Sequence, residues 1–250
     1  MTHAGDSKKL RLDELVQQRA EVSRSKAQGL IRTGNVRGPD DEVLNRPGRF
    51  VSPDMELSID EGPPYVSRGG LKLEAALDAF QLDVRDRVVI DVGASTGGFT
   101  DCLLQRGAAQ VFAVDVGYGQ LDWKLRQDPR VVVMERTNIR YLKPDQLPAR
   151  PRFFAVDCSF ISLRIVLPAV RALVSDDGEG VVLIKPQFEA GRDEVGKGGV
   201  VRHAAIHERV IDDVRAEAAR IGFDVRDVIS SPLEGPAGNR EFLAHLTVTR

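Results

Sequence analysis

The sequence predicts an α/β protein: a mostly parallel sheet covered by helices on both faces, closed at one edge by an antiparallel hairpin, with a small α+β module ahead of it. Three observations predict it. Short, nearly continuous apolar runs alternate with helical patterns from residue 71 to residue 221. The first of these runs, Val88–Ile90, meets Asp91 and then a glycine-rich turn, Gly93-Ala-Ser-Thr-Gly-Gly98, that opens a helix. The preceding sixty residues differ in character, being basic and helical, and they end at Gly62-Pro-Pro64.

The elements follow in order. Leu10, Leu12, Leu15 and Val16 recur at helical spacing. Ser23–Gly34 reads as a second helix, with Ser23 as N-cap and Gly34 as the stop just past the C-terminus. Asn35-Val-Arg37 is a short extended piece, and Met55–Ile59 alternates apolar and polar as a strand does. Pro63 and Pro64 bar helix continuation, which places one domain with its linker at residues 1–62 and another at 63–250. In the second domain the strand candidates are Arg87–Val92, Gln110–Asp115, Val131–Met134, Phe153–Asp157 and Val181–Lys185. Helical patterns fill Leu71–Phe80, Gly98–Arg106, Ser162–Leu173 and Ala204–Ile221. Phe223–Ile229 and Glu241–Thr249 read as a hairpin joined by a Pro/Gly-rich loop.

Composition sets limits. No apolar run approaches the roughly 20 residues needed to cross a bilayer. The opening stretch, Met1–Arg11, is polar and carries no secretory core. Cys102 and Cys158 fall within helix and strand patterns and read as buried thiols of a cytoplasmic protein; no Cys/His spacing suggests a metal site. The net charge of −2 argues against a protein that coats nucleic acid throughout. It leaves room for one basic face. Lys8, Lys9, Arg11, Arg19, Arg24, Lys26, Arg32 and Arg37 are opposed only by Asp13, Glu14 and Glu21. Such a helix pair suits RNA docking, and equally suits a solvated surface.

Three readings compete for the glycine turn. A dinucleotide site would need G-x-G-x-x-G spacing, which is absent. Gly93-Ala-Ser95-Thr-Gly97 fits a nucleophile elbow, yet it follows the first strand of the sheet and no oxyanion-loop pattern precedes it. The third reading is an S-adenosylmethionine site, with Gly93 and Gly97 making room for the methionine part and Asp115, at the end of the next strand, on the ribose hydroxyls. Asp157 and Lys185 also end apolar strands. A charge there can simply mark where a strand meets water, but in a parallel sheet both open toward the same crevice as Gly93 and Asp115. A lysine beside a carboxylate and a methyl donor suits transfer to a hydroxyl, because charge builds on the oxygen as the methyl moves.

Longer blocks then carry a resemblance. Ser67-Arg-Gly-Gly-Leu-Lys72-Leu, Asp91–Thr100, Ala113–Leu121, Glu135-Arg-Thr-Asn138, Asp157–Ser162, Lys185-Pro-Gln-Phe-Glu189, Gly198–Val201 and Gly238-Asn-Arg-Glu241 resemble the TlyA-type (haemolysin A family) ribosomal RNA methyltransferases, which share the Rossmann-like FtsJ fold. The blocks span nearly the whole chain in order. The resemblance implies S-adenosylmethionine-dependent 2′-O-methylation of ribose in ribosomal RNA, with cytidine as the modified nucleoside and ribosomal RNA or subunits as partners. It implies a catalytic set of Lys72, Asp157, Lys185 and Glu241. Cofactor contacts would come from Asp91, Gly93, Ala94, Ser95, Gly97, Gly98, Asp115, Asn138 and Asp157. Ser23–Ala27 and Leu30–Val36 resemble a small S-four-like RNA-binding domain, although Val36-Arg-Gly38 runs directly into Pro39 and an acidic pair. Candidate RNA contacts are Arg24, Lys26 and Arg32 of the basic face, Arg68, and Arg192 and Lys197 of the four-glycine loop Glu189–Gly199. The alternatives are a non-catalytic RNA-binding factor, a methyltransferase for another acceptor, and a membrane-damaging protein, for which no spanning or strongly amphipathic segment speaks.

Overall fold

The computed structural model describes residues 9–235 and 237–249; Lys8 of the basic run, with the rest of the opening stretch before it, and Pro236 of the hairpin loop lie outside them. The chain divides into two compact units, one reaching to Pro64 and the other starting at Tyr65.

In the first unit β1 (Leu10–Arg11) leads straight into α1 (Leu12–Arg19), followed by α2 (Arg24–Arg32), β2 (Val36–Arg37), β3 (Phe50–Val51) and β4 (Ser58–Ile59). β1 pairs with β3 and β2 with β4, both antiparallel. Leu12, Leu15, Val16, Ala27, Ile31 and Val36 are buried together between the helices and these short strands. The Ser23 hydroxyl accepts from the Lys26 N–H at 3.2 Å, and Gly34 takes φ +77° just past α2. Both helix ends therefore fall where cap chemistry puts them. Leu10 departs from the helical reading: its backbone is spent on pairing with Val51. The Met55–Ile59 strand shrinks to two residues, because Met55 N–H closes a turn onto Ser52 O and the partner strand is itself two residues long. Asp13 is fully buried in the first turn of α1, where Arg11 and Gln28 donate to it at 2.8–3.0 Å. Those donors hold its carboxyl well below the usual range.

The second unit carries α3 (Gly69–Ala79), β5 (Val88–Val92), α4 (Gly98–Gln105), β6 (Gln110–Val114), α5 (Trp123–Arg126), β7 (Val131–Met134), β8 (Phe153–Val156), α6 (Leu163–Leu173), β9 (Glu179–Ile184), α7 (Pro186–Glu189), α8 (Ala204–Arg220), β10 (Phe223–Ser230) and β11 (Phe242–Val248). Among the described residues seven strands form one sheet in the order β10-β11-β9-β8-β5-β6-β7. β5 to β9 run parallel, and β11 lies antiparallel between β9 and β10, so the hairpin read from the sequence closes one edge.

Successive residues of the central strands serve opposite faces. Val89 and Phe153 pack with Leu73 and Leu77 of α3 and Leu103 of α4. Ile90 and Phe154 pack with Val166 and Val170 of α6 and Val214 of α8. α3 and α4 thus cover one face and α6 and α8 the other. The chain leaves β5 toward β6 and β7 on one side, and returns to β8 and β9 on the other. The carboxyl ends of β5 and β8 therefore flank the switch point, where an open α/β sheet leaves a crevice. α5 is not legible in the sequence, being a four-residue helix that depends on the Asp122 side chain accepting from Lys124 N–H.

Candidate active site

The turn after β5 is shaped by positions that only small residues tolerate. Gly93 has φ +88°, and a Cβ there would lie 2.3 Å from the Asp157 carbonyl oxygen. Gly97 has φ +98°, and a Cβ would lie 2.2 Å from Leu125 Cδ1. Ser95, at φ +48°, is held because its N–H donates to Asp115 Oδ2 at 2.8 Å. The other Asp115 oxygen accepts from Gly117 N–H at 2.6 Å. Asp115 therefore ties the β5 turn to the β6 turn as well as lining the crevice between them.

That crevice has two lobes. The larger, about 480 Å³, is lined by Gly93, Ser95, Asp115, Gln120, Asn138 and Cys158 among others. The smaller, about 260 Å³, is lined by Arg68, Lys72, Ala94, Gly98, Lys185 and Glu241 among others. Gly93, Ser95, Asp157 and Ser159 border both. In the smaller lobe two ion pairs face one space. Lys185 Nζ lies 2.5 Å from Asp157 Oδ1 and donates to Ser159 Oγ at 2.8 Å. Lys72 Nζ lies 2.5 Å from Glu241 Oε2. Lys72, Lys185 and Glu241 are each no more than 9% exposed. Buried charges of this kind are held by pairing, since each alone would carry a large desolvation cost.

The structure thus brings together Lys72, Asp157, Lys185 and Glu241, and it gathers Gly93, Ala94, Ser95, Gly98, Asp115 and Asn138 around the two lobes. Two residues read from the sequence as ligand contacts stand differently. Asp91 is fully buried beneath the turn, where Thr100 Oγ1 donates to it at 2.6 Å, and it lines neither lobe. Burial, with Asp157 and Asp115 nearby, pushes its carboxyl up to about 7. Gly97 lines neither lobe and shapes the entry into α4 instead. Of the candidate RNA contacts, Arg68 lines the smaller lobe, and Arg192 and Lys197 are exposed on the loop after α7. Asn239 ties the end of that loop down, accepting from Val201 N–H at 2.9 Å and donating to Gly199 O at 2.8 Å. Arg24, Lys26 and Arg32 are exposed in the first unit, Arg24 and Lys26 with acidic partners at 3.4–3.8 Å.

Residue-by-residue reading misses three contributors. Ser159 anchors Lys185. Glu135 accepts from Gly119 N–H at 2.9 Å and Gln120 N–H at 3.1 Å, and so holds the Gly117–Leu121 loop at the rim of the larger lobe. The Gly119 N–H first, then the Arg126 guanidinium and the Leu121 N–H, lower its carboxyl below the usual range. Phe160, 90% exposed, lines the same lobe. Each lies inside a block that carries the resemblance, which is the available signal. Among the described residues no group of His, Cys, Asp and Glu is placed to hold a metal ion, and no helix is long and apolar enough to cross a membrane.

Comparison with known proteins agrees with this geometry. The chain is 49% identical over 243 residues to YqxC of Bacillus subtilis, a protein named for rRNA methylation, covering 96% of this chain and 86% of that one. It is 46% identical over 243 residues to the 16S/23S rRNA (cytidine-2′-O)-methyltransferase TlyA of Mycobacterium tuberculosis, covering 96% of this chain and 90% of that one. A solved structure of a hemolysin-named protein from Streptococcus thermophilus superposes with a TM-score of 0.74 at 47% identity, covering 97% of this chain and 90% of that one. The family model of the FtsJ-like methyltransferases matches residues 65–248, the unit that holds both lobes, and the chain belongs to that family.

Proposed function

We propose that the protein methylates the ribose 2′-hydroxyl of a cytidine in ribosomal RNA, with S-adenosylmethionine as methyl donor. The observation that carries the reading is the two-lobed crevice whose shared border holds Asp157 and Ser159, with Lys185 paired to both. The larger lobe fits the donor: it offers apolar walls in Val92, Val114 and Ile139, and a carboxylate, Asp115, at a strand end where ribose hydroxyls are held in folds of this kind. S-adenosylmethionine supplies an electrophilic methyl group on a sulfonium.

The chain's own residues do the rest. An ammonium has three donors. Lys185 donates one to Ser159 and lies against the Asp157 carboxylate, and its ammonium lines the smaller lobe, where an acceptor oxygen would meet it. Lys185 orients that oxygen and offsets the negative charge that grows on it as the O–CH3 bond forms and the methyl–sulfur bond breaks, leaving S-adenosylhomocysteine. The hydroxyl proton passes to the Asp157 carboxylate that borders both lobes and on to solvent. Asp157 keeps the lysine in place at the border between the lobes. The Lys72–Glu241 pair lines the smaller lobe and would help position the nucleotide there. The relatives named for cytidine 2′-O-methylation support the choice of acceptor. The basic face of the first unit supports docking on RNA, which is recognised by shape and backbone more than by base edges.

The test uses labelled S-adenosylmethionine and purified ribosomal subunits that lack the modification. After alkaline digestion, label is expected in alkali-resistant dinucleotides, because 2′-O-methylation blocks cleavage at that linkage. Label released entirely as mononucleotides, or none transferred to either subunit, counts against the reading.

A further inference from the structure

We propose that Glu189 is a positioning residue for the transfer reaction, clamping the wall shared by the two lobes onto the turn that carries Lys185. The proposal rests on the methyl-transfer reading above and assigns a role to a residue that touches neither lobe.

The wall is the segment from Asp157 to Ser162, between the end of β8 and the start of α6. It contributes Asp157 and Ser159 to both lobes and Phe160 and Ile161 to the larger one. Its backbone is not relaxed: Phe160 sits at φ +64°, a region that residues with a side chain adopt only when surrounding contacts hold them there. Those contacts come from the residues that follow β9. Lys185 bonds Ser159 at 2.8 Å, and the Phe188 ring meets the Phe160 ring with centroids 5.2 Å apart. Glu189 then closes the far end: Ser162 Oγ donates to Oε2 at 2.5 Å, and Leu163 N–H donates to Oε1 at 2.8 Å.

The chemistry of this last contact suits a clamp. Leu163 N–H is one of the free donors at the start of α6, an eleven-residue helix whose N-terminus favours an anion. The Ser162 hydroxyl also accepts from Arg164 N–H at 3.1 Å, so one side chain links the helix start to the Lys185 turn. Glu189 therefore fixes the distance between two segments whose separation sets the Lys185–Asp157 pair. Displacement of a reacting group by about 1 Å costs on the order of 10² in rate.

Wild type, Glu189→Ala, Glu189→Gln and Ser162→Ala are compared in turnover on ribosomal subunits, in donor affinity by calorimetry, in thermal melting and in amide hydrogen exchange. In Glu189→Ala, kcat is expected to fall by about 10–100-fold, with the KM for the subunit little changed and exchange faster at Ser159–Leu163. Glu189→Gln is expected to recover most of the turnover, since its carbonyl accepts from Leu163 N–H and its amide donates to Ser162 Oγ. If Glu189→Ala does not fold, Ser162→Ala decides, with a smaller loss of kcat expected. Wild-type kcat in a folded Glu189→Ala or in Ser162→Ala, or unchanged exchange across the wall, overturns the proposal. A melting temperature that falls while kcat stays at the wild-type value overturns it too, as a merely structural role. Absence of turnover by wild type in the same assay strikes the methyl-transfer reading instead, and exchange still reports on the clamp.

Discussion

At the scale of single residues, Lys185 and Asp91 make separable predictions. In the proposed reaction Lys185→Ala removes the ammonium that would orient the acceptor oxygen. Transfer is expected to fall by about 10²–10⁴, with donor affinity measured by calorimetry changed only a few-fold; near-normal transfer would remove Lys185 from the chemistry. Asp91 bears on stability. At low pH both folded and unfolded chains carry its proton. As pH rises past the ordinary carboxylate value of 3.8, the unfolded chain loses the proton while the folded chain keeps it to about 7. The folded state then binds more protons, so this residue's contribution to stability declines between those values and is flat above them. Asp91→Asn has no such proton. Its melting temperature is expected to gain on wild type as pH rises from about 5 to 8, and parallel melting curves would show that Asp91 titrates normally. The Lys72–Glu241 pair couples the two properties. Removing Lys72 alone leaves Glu241 buried and unpaired, at a cost of about 3–5 kcal/mol. An apolar replacement of both, Lys72→Met with Glu241→Leu, is expected to restore most of the melting temperature and none of the turnover.

At the scale of elements, the β5 turn is the place where backbone and site are one problem. Gly97→Ala puts a Cβ 2.2 Å from Leu125 and forces φ +98° on a residue that resists it. The expected result is a lowered melting temperature together with weaker donor binding, because the same turn carries Ser95 at the border of both lobes; unaltered donor affinity would separate the turn from the site. Strand and helix positions here are legible because apolar period and cap chemistry are local: the β5, β6, β7 and β8 patterns and the Ser23 cap each appear where the residues put them. Leu10 and Met55–Leu57 depart from their sequence reading for the opposite reason. Their helical or strand periodicity is overridden by a pairing partner, Val51, and by a turn at Ser52–Met55, which no local pattern encodes.

For the whole molecule, the chain divides at Pro64–Tyr65, and the proposed function would give docking to the first unit and chemistry to the second. Lys26→Glu with Arg32→Glu, both exposed in the first unit, is expected to weaken binding to ribosomal subunits and to reduce the salt dependence of that binding by about one in slope per lost phosphate contact. Donor affinity should be unchanged. An unaltered salt slope would return the basic face to a solvated surface. By itself the sequence determined the alternation of strands and helices, the glycine turn with its flanking acids, and, through long ordered blocks, the family. These are set by neighbours within a few residues, or by strings of residues read together. Only the tertiary structure decided that Lys72 meets Glu241, 169 positions away, that Asp91 lies under the turn and not on the crevice, that Ser159 bonds Lys185, and that Glu189 bonds Ser162. Pairing of buried charges depends on which strand ends the sheet order brings together, and that order is fixed by packing across the whole sheet and not by any local run of residues.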